Sequence, residues 1–289
     1  MKEHTIHNMN GKGQKCLVWF FFAFLCIYAF TLFILYFWTF ASAFKTEPEF
    51  AKDALGLPTV WHFDNIGRTF RELSVQGVNI LNMSINSIIL VCITVIPGLS
   101  FPVLVAYVVS KFPSRFTKVI FTVYLVQATV PVIGSGPAYI SLLKTFNIIN
   151  NPSTMWILNC GAGGMIFFTM VAFFNGISNT YSEAAKIDGA GNFRVFFRII
   201  LPQAKGIIVA FAISAVIGAW NDFDTAFLYF DKYPTISLGL YKFQELQTYR
   251  ANRPVLFMGI LFSMMPVLIL FLCFSKVIMK NVSIGGLKG

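Results

Sequence analysis

Six stretches of this chain contain no Asp, Glu, Lys or Arg: residues 17–44, 84–110, 119–143, 154–182, 206–221 and 254–275. A helix needs roughly 20 apolar residues to cross the hydrocarbon core of a bilayer. The core offers no water to peptide groups, so a crossing segment must bond its own backbone, as a helix does. The fifth run is short, but only Asp222 and Asp224 interrupt its continuation to residue 230. Composition agrees: of 289 residues, 56% are hydrophobic and 12% charged, about half the charged share of an ordinary soluble domain. The expected fold is an all-α membrane protein with six transmembrane helices. The first run ends at Ala41-Ser42-Ala43, a sequence like a signal-peptide cleavage box. Its apolar stretch is nevertheless well beyond the roughly 7–15 residues of a signal core, so an uncleaved anchor is expected.

Short loops rich in Lys and Arg face the cytoplasm. With the N-terminus placed inside, the inside segments hold 13 basic residues against Glu3, Glu183 and Asp188, a net of +10. The outside segments hold nine of each sign and sum to zero. The whole excess therefore lies on one side. Both termini are expected in the cytoplasm, and the basic character reports topology, not a nucleic-acid partner.

Charged groups inside a bilayer mark proton and ion routes, and the six runs carry none. A Gly-x-x-x-x-Gly-Lys-Ser/Thr phosphate loop is missing too, since Gly11-Lys12-Gly13 has the wrong spacing. If the chain moves a solute, the energy must come from another subunit. Polar and helix-breaking residues do interrupt the spans, among them Pro97, Gly98, Pro102, Gly161, Gly163 and Gly164. Asn86, Gln127, Asn159, Trp220 and Asn221 are the candidates for lining a translocation pathway. Each also fits a plainer role, in close helix packing.

The loop before the fifth run is the most informative segment. Thr180 followed by Glu183 fits a capping box and predicts a short helix. Asp188-Gly189 predicts its stop, with Gly189 free to turn left-handed. Asn192 is placed to cap a second short helix, which Pro202 disfavours continuing. In that helix Phe193, Phe196, Phe197 and Ile200 recur at helical spacing, predicting one apolar face, with Arg194 and Arg198 on another. Such a pair is either a helix hairpin lying on lipid or a docking knob for a soluble partner.

The pattern Glu183-Ala184-Ala185-x-x-Asp188-Gly189-Ala190, followed by Ile199-x-Leu201-Pro202, resembles the EAA loop of binding-protein-dependent ABC importer permeases. Trp220-Asn221-Asp222-Phe223 and residues 235–240 look like segments of carbohydrate-type members, and Phe44-Lys45-Thr46 and Asn86-Ser87 fit as well. The tail Gly285-Gly286-Leu287-Lys288-Gly289 is similar to the glycine-rich end of the MalG-like, smaller maltose permease subunit family. The resemblance implies a type I importer permease. Its cytoplasmic N-terminus would be 1–16, its six-helix domain 17–280 with a coupling loop at about 176–205, and its cytoplasmic tail 281–289. Implied partners are a homologous second permease subunit, two cytoplasmic ATPases that bind ATP and magnesium, and an extracytoplasmic solute-binding protein. The cargo would be a sugar or oligosaccharide, with glycerol phosphates or other polyols as the alternative and an ion-coupled transporter further behind. This chain would bind no cofactor or metal and catalyse nothing. Glu183, Ala184, Ala185, Asp188, Gly189, Ala190, Phe193, Phe196, Leu201 and Pro202 would face the ATPase, and Gly285, Gly286, Leu287 and Lys288 would reach toward it. The setting implied is the bacterial cytoplasmic membrane.

Overall fold

The computed structural model describes residues 12–130, 136–161, 163–246 and 252–284. The described chain is helical apart from one small hairpin. It opens with α1 (Lys12–Ala43), α2 (Glu47–Lys52) and α3 (Asp64–Glu72). The hairpin β1 (Ser74–Val75) and β2 (Val78–Asn79) follows, then α4 (Ile80–Lys111), α5 (Arg115–Thr129) and α6 (Gly136–Thr145). Next come α7 (Pro152–Met155), a 3-10 turn at Trp156–Asn159 and α8 (Gly164–Gly176). The loop elements are α9 (Thr180–Ile187), α10 (Asn192–Val195), a π-helical turn at Phe196–Ile200 and α11 (Leu201–Gln203). The chain closes with α12 (Lys205–Asn221), α13 (Asp224–Tyr229), α14 (Ile236–Leu246) and α15 (Arg253–Ile284).

Five of the six apolar runs appear as straight or bent spans. Lys15–Ala43, Ile80–Lys111 and Arg253–Ser275 are each long and apolar enough to cross a bilayer. Pro152–Asn159 with Gly164–Gly176 qualifies as one span bent by 56°, and Asn192–Gln203 with Lys205–Asn221 as one bent by 75°. The run 119–143 is divided between α5 and α6, on either side of residues outside the description.

The described residues form two compact units, one within Met1–Leu73 and Leu246–Leu261, the other within Ser74–Glu245 and Phe262–Gly289. In the first unit, α3 buries a polar face. Asn65 is buried and its amide donates to the carbonyls of Ala43 and Lys45, at 2.9 and 2.8 Å. Those carbonyls lie at the last residue of α1 and just beyond it, where helical partners run out. Glu49 of α2 accepts from the backbone and hydroxyl of Thr59, and the backbone bond holds its carboxyl below the ordinary glutamate value.

In the second unit α4 is the hub, packed along α8 and α12. Pro97 and Pro102 interrupt its bonding ladder and are buried. The close approach of α8 explains Gly163: a Cβ there would sit 2.2 Å from Pro102 Cγ and 3.3 Å from the Gly98 carbonyl. Aromatic rings fill the space further along, with Tyr124 stacked on Phe167 at 4.0 Å.

Candidate functional site

The helical loop after α8 has an inner and an outer face. Ala185, Val195, Phe196, Ile200 and Ala204 are buried in one cluster with Val103, Ala106 and Tyr107 of α4 and Phe167, Met170 and Phe174 of α8. The Phe196 ring lies 4.6 Å from that of Tyr107. Lys111, at the end of α4, fastens the junction: its ammonium donates to the Ile177 carbonyl at 2.6 Å and to Asn179 Oδ1 at 3.0 Å. Sequence reasoning counted Lys111 only as a topological charge; no local signal separates it from Arg115 or Lys118. The outer face presents Glu183, Ala184, Asp188 and Gly189, all exposed. Ile187 and Phe193, large and apolar, are 87% and 81% exposed. A rigid inner face with apolar groups and carboxylates on the outside is what a docking knob requires.

The first helix stops as its sequence predicts. Gly189 has φ +80°. Its N–H donates to the Lys186 carbonyl and the Ala190 N–H reaches back to Ala185. This is the paired bonding of a Schellman stop, satisfying carbonyls that would otherwise be left open.

Three local expectations fail here. Thr180 and Glu183 form no capping box. Thr180 is already the first residue of α9, and its N–H donates to Ser178 Oγ at 3.3 Å, leaving Glu183 exposed. Asn192 is inside α10, and the capping position belongs to Gly191, without a side-chain bond. The expected face of Phe193, Phe196, Phe197 and Ile200 is split: Phe196 and Ile200 are buried, whereas Phe193 and Phe197 are exposed. The cause is the π turn, in which the Leu201 N–H bonds to the Phe196 carbonyl, five residues back. One extra residue in a turn shifts the helical phase, and the wide turn carries the chain into Pro202, which has no N–H to give. Leu201 is half-buried and Pro202 exposed.

The pathway candidates are scattered over several contacts, and each amide or indole donates to a backbone carbonyl. Asn86 bonds Pro234 at 3.1 Å, Gln127 bonds Gly161 at 3.4 Å and Asn159 bonds Ile93 at 3.4 Å. Trp220 bonds Ser263 and Asn221 bonds Ile217, both at 2.9 Å. Gln127 reaches Gly161 in the break between Trp156–Asn159 and α8, and Asn159 ends the turn before that break; the others lie elsewhere. The neighbouring Ser87 hydroxyl accepts from the Ile236 N–H at 2.8 Å. Gly285, Gly286, Leu287 and Lys288 lie outside the described residues. Among the described residues no group of His, Cys, Asp or Glu is arranged to hold a metal ion.

Residues 6–283 match the family described as binding-protein-dependent transport system inner membrane component. The chain belongs to this family. As a member it is a permease subunit of an ABC importer, a membrane transport component and not an enzyme. It is 31% identical over 286 residues to the probable ABC transporter permease protein YurM of Bacillus subtilis, covering 96% of this chain and 89% of that one. It is 29% identical over 252 residues to the diacetylchitobiose uptake system permease protein NgcG of Streptomyces coelicolor, covering 86% and 82%. The fold matches a chain from a bacterial ABC transporter involved in the import of the acidic polysaccharide alginate, with a TM-score of 0.78. That match covers 93% of this chain and 99% of the other at 20% identity, and establishes the type I permease architecture.

Proposed function

We propose that this permease imports a sugar or oligosaccharide and that the loop at about 176–205 passes the ATPase stroke to the membrane helices. The observation that carries the reading is the two-sided loop: its inner face is bolted to α4 and α8, and its outer face offers Glu183, Asp188, Gly189, Ile187 and Phe193 to a partner. A push on such a knob moves α4 and α8 with it. Phe196, Ala185 and Leu201 transmit force from inside the joint, while Glu183, Ala184, Gly189, Ala190 and Phe193 make the contact. The cargo reading rests on relatives such as the diacetylchitobiose permease and on the carbohydrate-type motifs near Trp220 and Thr235.

The remaining parts follow from the family. A homologous permease completes the pathway, two cytoplasmic ATPases bind ATP and magnesium, and an extracytoplasmic protein delivers the solute. The +10 charge excess orients the chain with both termini and the loop in the cytoplasm. The permease domain then runs from 17 to 280, between the N-terminus and a tail that reaches toward the ATPases. Asn86, Gln127, Asn159, Trp220 and Asn221 border the pathway, the first four as links between segments and Asn221 bonded within its own helix.

Uptake of labelled mono- and oligosaccharides in a strain lacking this chain tests the reading. Uptake lost with the chain and restored by it supports a sugar cargo. Loss confined to glycerol phosphodiesters or polyols moves the cargo to that class. Solute movement by the purified chain alone, driven by a proton or sodium gradient, overturns the importer mechanism.

A further inference from the structure

Helix α9 carries the outward carboxylate of Glu183 yet has little apolar hold on the membrane helices. Of its residues only Ala185 is buried, and one methyl group covers little area. The second half of the loop differs, with Val195, Phe196 and Ile200 packed into the α4 and α8 cluster. Between the halves the chain passes Gly189 and Gly191, so a displacement of α9 reaches α10 only across a turn with two glycines.

What α9 has instead is a lysine contact with the end of α4 at each of its own ends. At its start, the half-buried Lys111 donates to Asn179 Oδ1 at 3.0 Å and to the Ile177 carbonyl at 2.6 Å. At its finish, the Lys186 ammonium lies 5.9 Å over the ring of Phe112, the residue after Lys111. The Phe112 ring in turn lies 5.8 Å from that of Tyr107 in α4. Ile177 is the C-cap of α8 and Asn179 the N-cap of α9, so one ammonium spans the elbow at which the chain leaves α8. A cation there also suits the negative end of the α8 dipole.

The decisive detail is what Asn179 gives up. Asparagine is among the best N-cap residues, because its side-chain oxygen accepts from the first free N–H groups of a helix. Here it occupies the N-cap position, with φ −66° and ψ −21°, and makes no capping bond. Its oxygen accepts instead from Lys111, 68 residues earlier. A local rule broken in favour of a long-range contact is expected at functional positions. We propose that Lys111 is a positioning residue that ties α9 to α4, so that a push on α9 reaches the hub helix through the Lys111–Asn179 link. This rests on the coupling reading of the loop and names the route within it.

The test is hydrogen–deuterium exchange of the full complex in nanodiscs, with and without AMP-PNP and magnesium on the ATPases. In the parent, nucleotide should change exchange both in α9 and at residues 104–111, the end of α4. Asn179→Ala and Lys111→Met should keep the α9 response and reduce that of 104–111 roughly twofold or more. Lys111→Arg, still a donor, should keep both. Because Asn179 caps nothing, Asn179→Ala should leave the melting temperature within about 2 °C of the parent. Its exposed position keeps the test decisive even if Lys111→Met does not fold. A response at 104–111 that survives intact in Asn179→Ala overturns the proposal and leaves the coupling reading standing. A larger fall in melting temperature, or equal losses in α9 and α4, would make the contact merely structural and also overturn it. No α9 response in the parent complex overturns the coupling reading, and this proposal with it.

Discussion

Helices α1 and α4 are both 32 residues long and overwhelmingly apolar, yet they behave oppositely. In α4, 28% of the most apolar stretch is buried inside the chain; in α1, none is. One contribution is the supply of small side chains, although α4 also buries larger ones such as Leu90, Val103 and Tyr107. Between Leu17 and Phe40, α1 is crowded with Phe, Leu, Ile, Trp and Tyr side chains, and all the large ones but the half-buried Trp38 are exposed. Only its small-residue end, Ala41, Ser42 and Ala43, is buried. Helix α4 offers Ser87, Pro97, Pro102 and Ala106 for burial, and neighbouring backbones can come close there. In a bilayer the surrounding lipid is as apolar as a leucine, so close van der Waals approach, not apolarity, selects helix partners.

The largest expected contrast comes from removing one aromatic ring on each side of this divide. Phe174 of α8 is fully buried against the α4 cluster, and Phe174→Ala should lower stability by about 3–5 kcal/mol. Phe24→Ala in α1, where the ring is exposed, should stay within about 0.5 kcal/mol. Denaturant unfolding of each variant in detergent measures both; equal losses would break the comparison.

Adding one methyl group on one side of the divide and two on the other sharpens it. Gly163→Ala forces a carbon against the rigid Pro102 ring and should remove about 1–3 kcal/mol. Ala29→Val, on the exposed part of α1, should shift the melting temperature negligibly.

The loop bolted to α4 provides the next case. A side chain at Gly189 meets no atom within 4 Å, so Gly189→Val carries only the left-handed backbone cost of roughly 1–2 kcal/mol. Its larger expected effect is on the partner: sugar-stimulated ATP hydrolysis of the reconstituted complex should fall sharply while the chain stays in the membrane. Gly191→Val, at φ −70° and equally open, carries no such backbone cost. Normal stimulation in Gly189→Val would show that the outer face touches nothing.

Glu183→Ala separates coupling from folding more cleanly. Because Glu183 caps nothing in α9, its loss should change stability by less than about 0.5 kcal/mol and still reduce stimulated hydrolysis. A stability loss near 1 kcal/mol, typical of a lost cap, would restore the capping box.

The smallest effect belongs to the unit that contains α1. Bonds from Thr59 lower the Glu49 carboxyl, so the ionised form supports the fold. That contribution is complete above the ordinary glutamate value and is lost as the pH falls through the lowered one. Solvent screening of this half-buried side chain keeps it slight. Melting temperatures between pH 6 and pH 3 should fall less in Glu49→Gln than in the parent chain.

Much of the loop was legible locally. Gly189 stops α9 because a left-handed residue is a one-position requirement that glycine alone meets easily. The capping box at Thr180 was misplaced because Ser178 competes for the same backbone N–H group. The apolar face of the second helix splits because helical spacing assumes 3.6 residues per turn throughout and the π turn departs from it. Lys111 reads in sequence only as a charge and Gly163 only as a helix breaker, since their roles depend on atoms 66 and more residues away, or on another helix's proline.

The sequence by itself determined that this chain enters a membrane, where its apolar segments lie and where the helical loop after α8 turns. Transfer of an apolar segment into lipid and a left-handed glycine are properties of short stretches, summed residue by residue. Which of two equally apolar helices becomes the hub, which face of the loop is anchored and which is offered outward were decided only by tertiary structure. Those outcomes depend on how closely two surfaces fit, and shape complementarity is a property of pairs of segments distant in sequence, which no single stretch encodes.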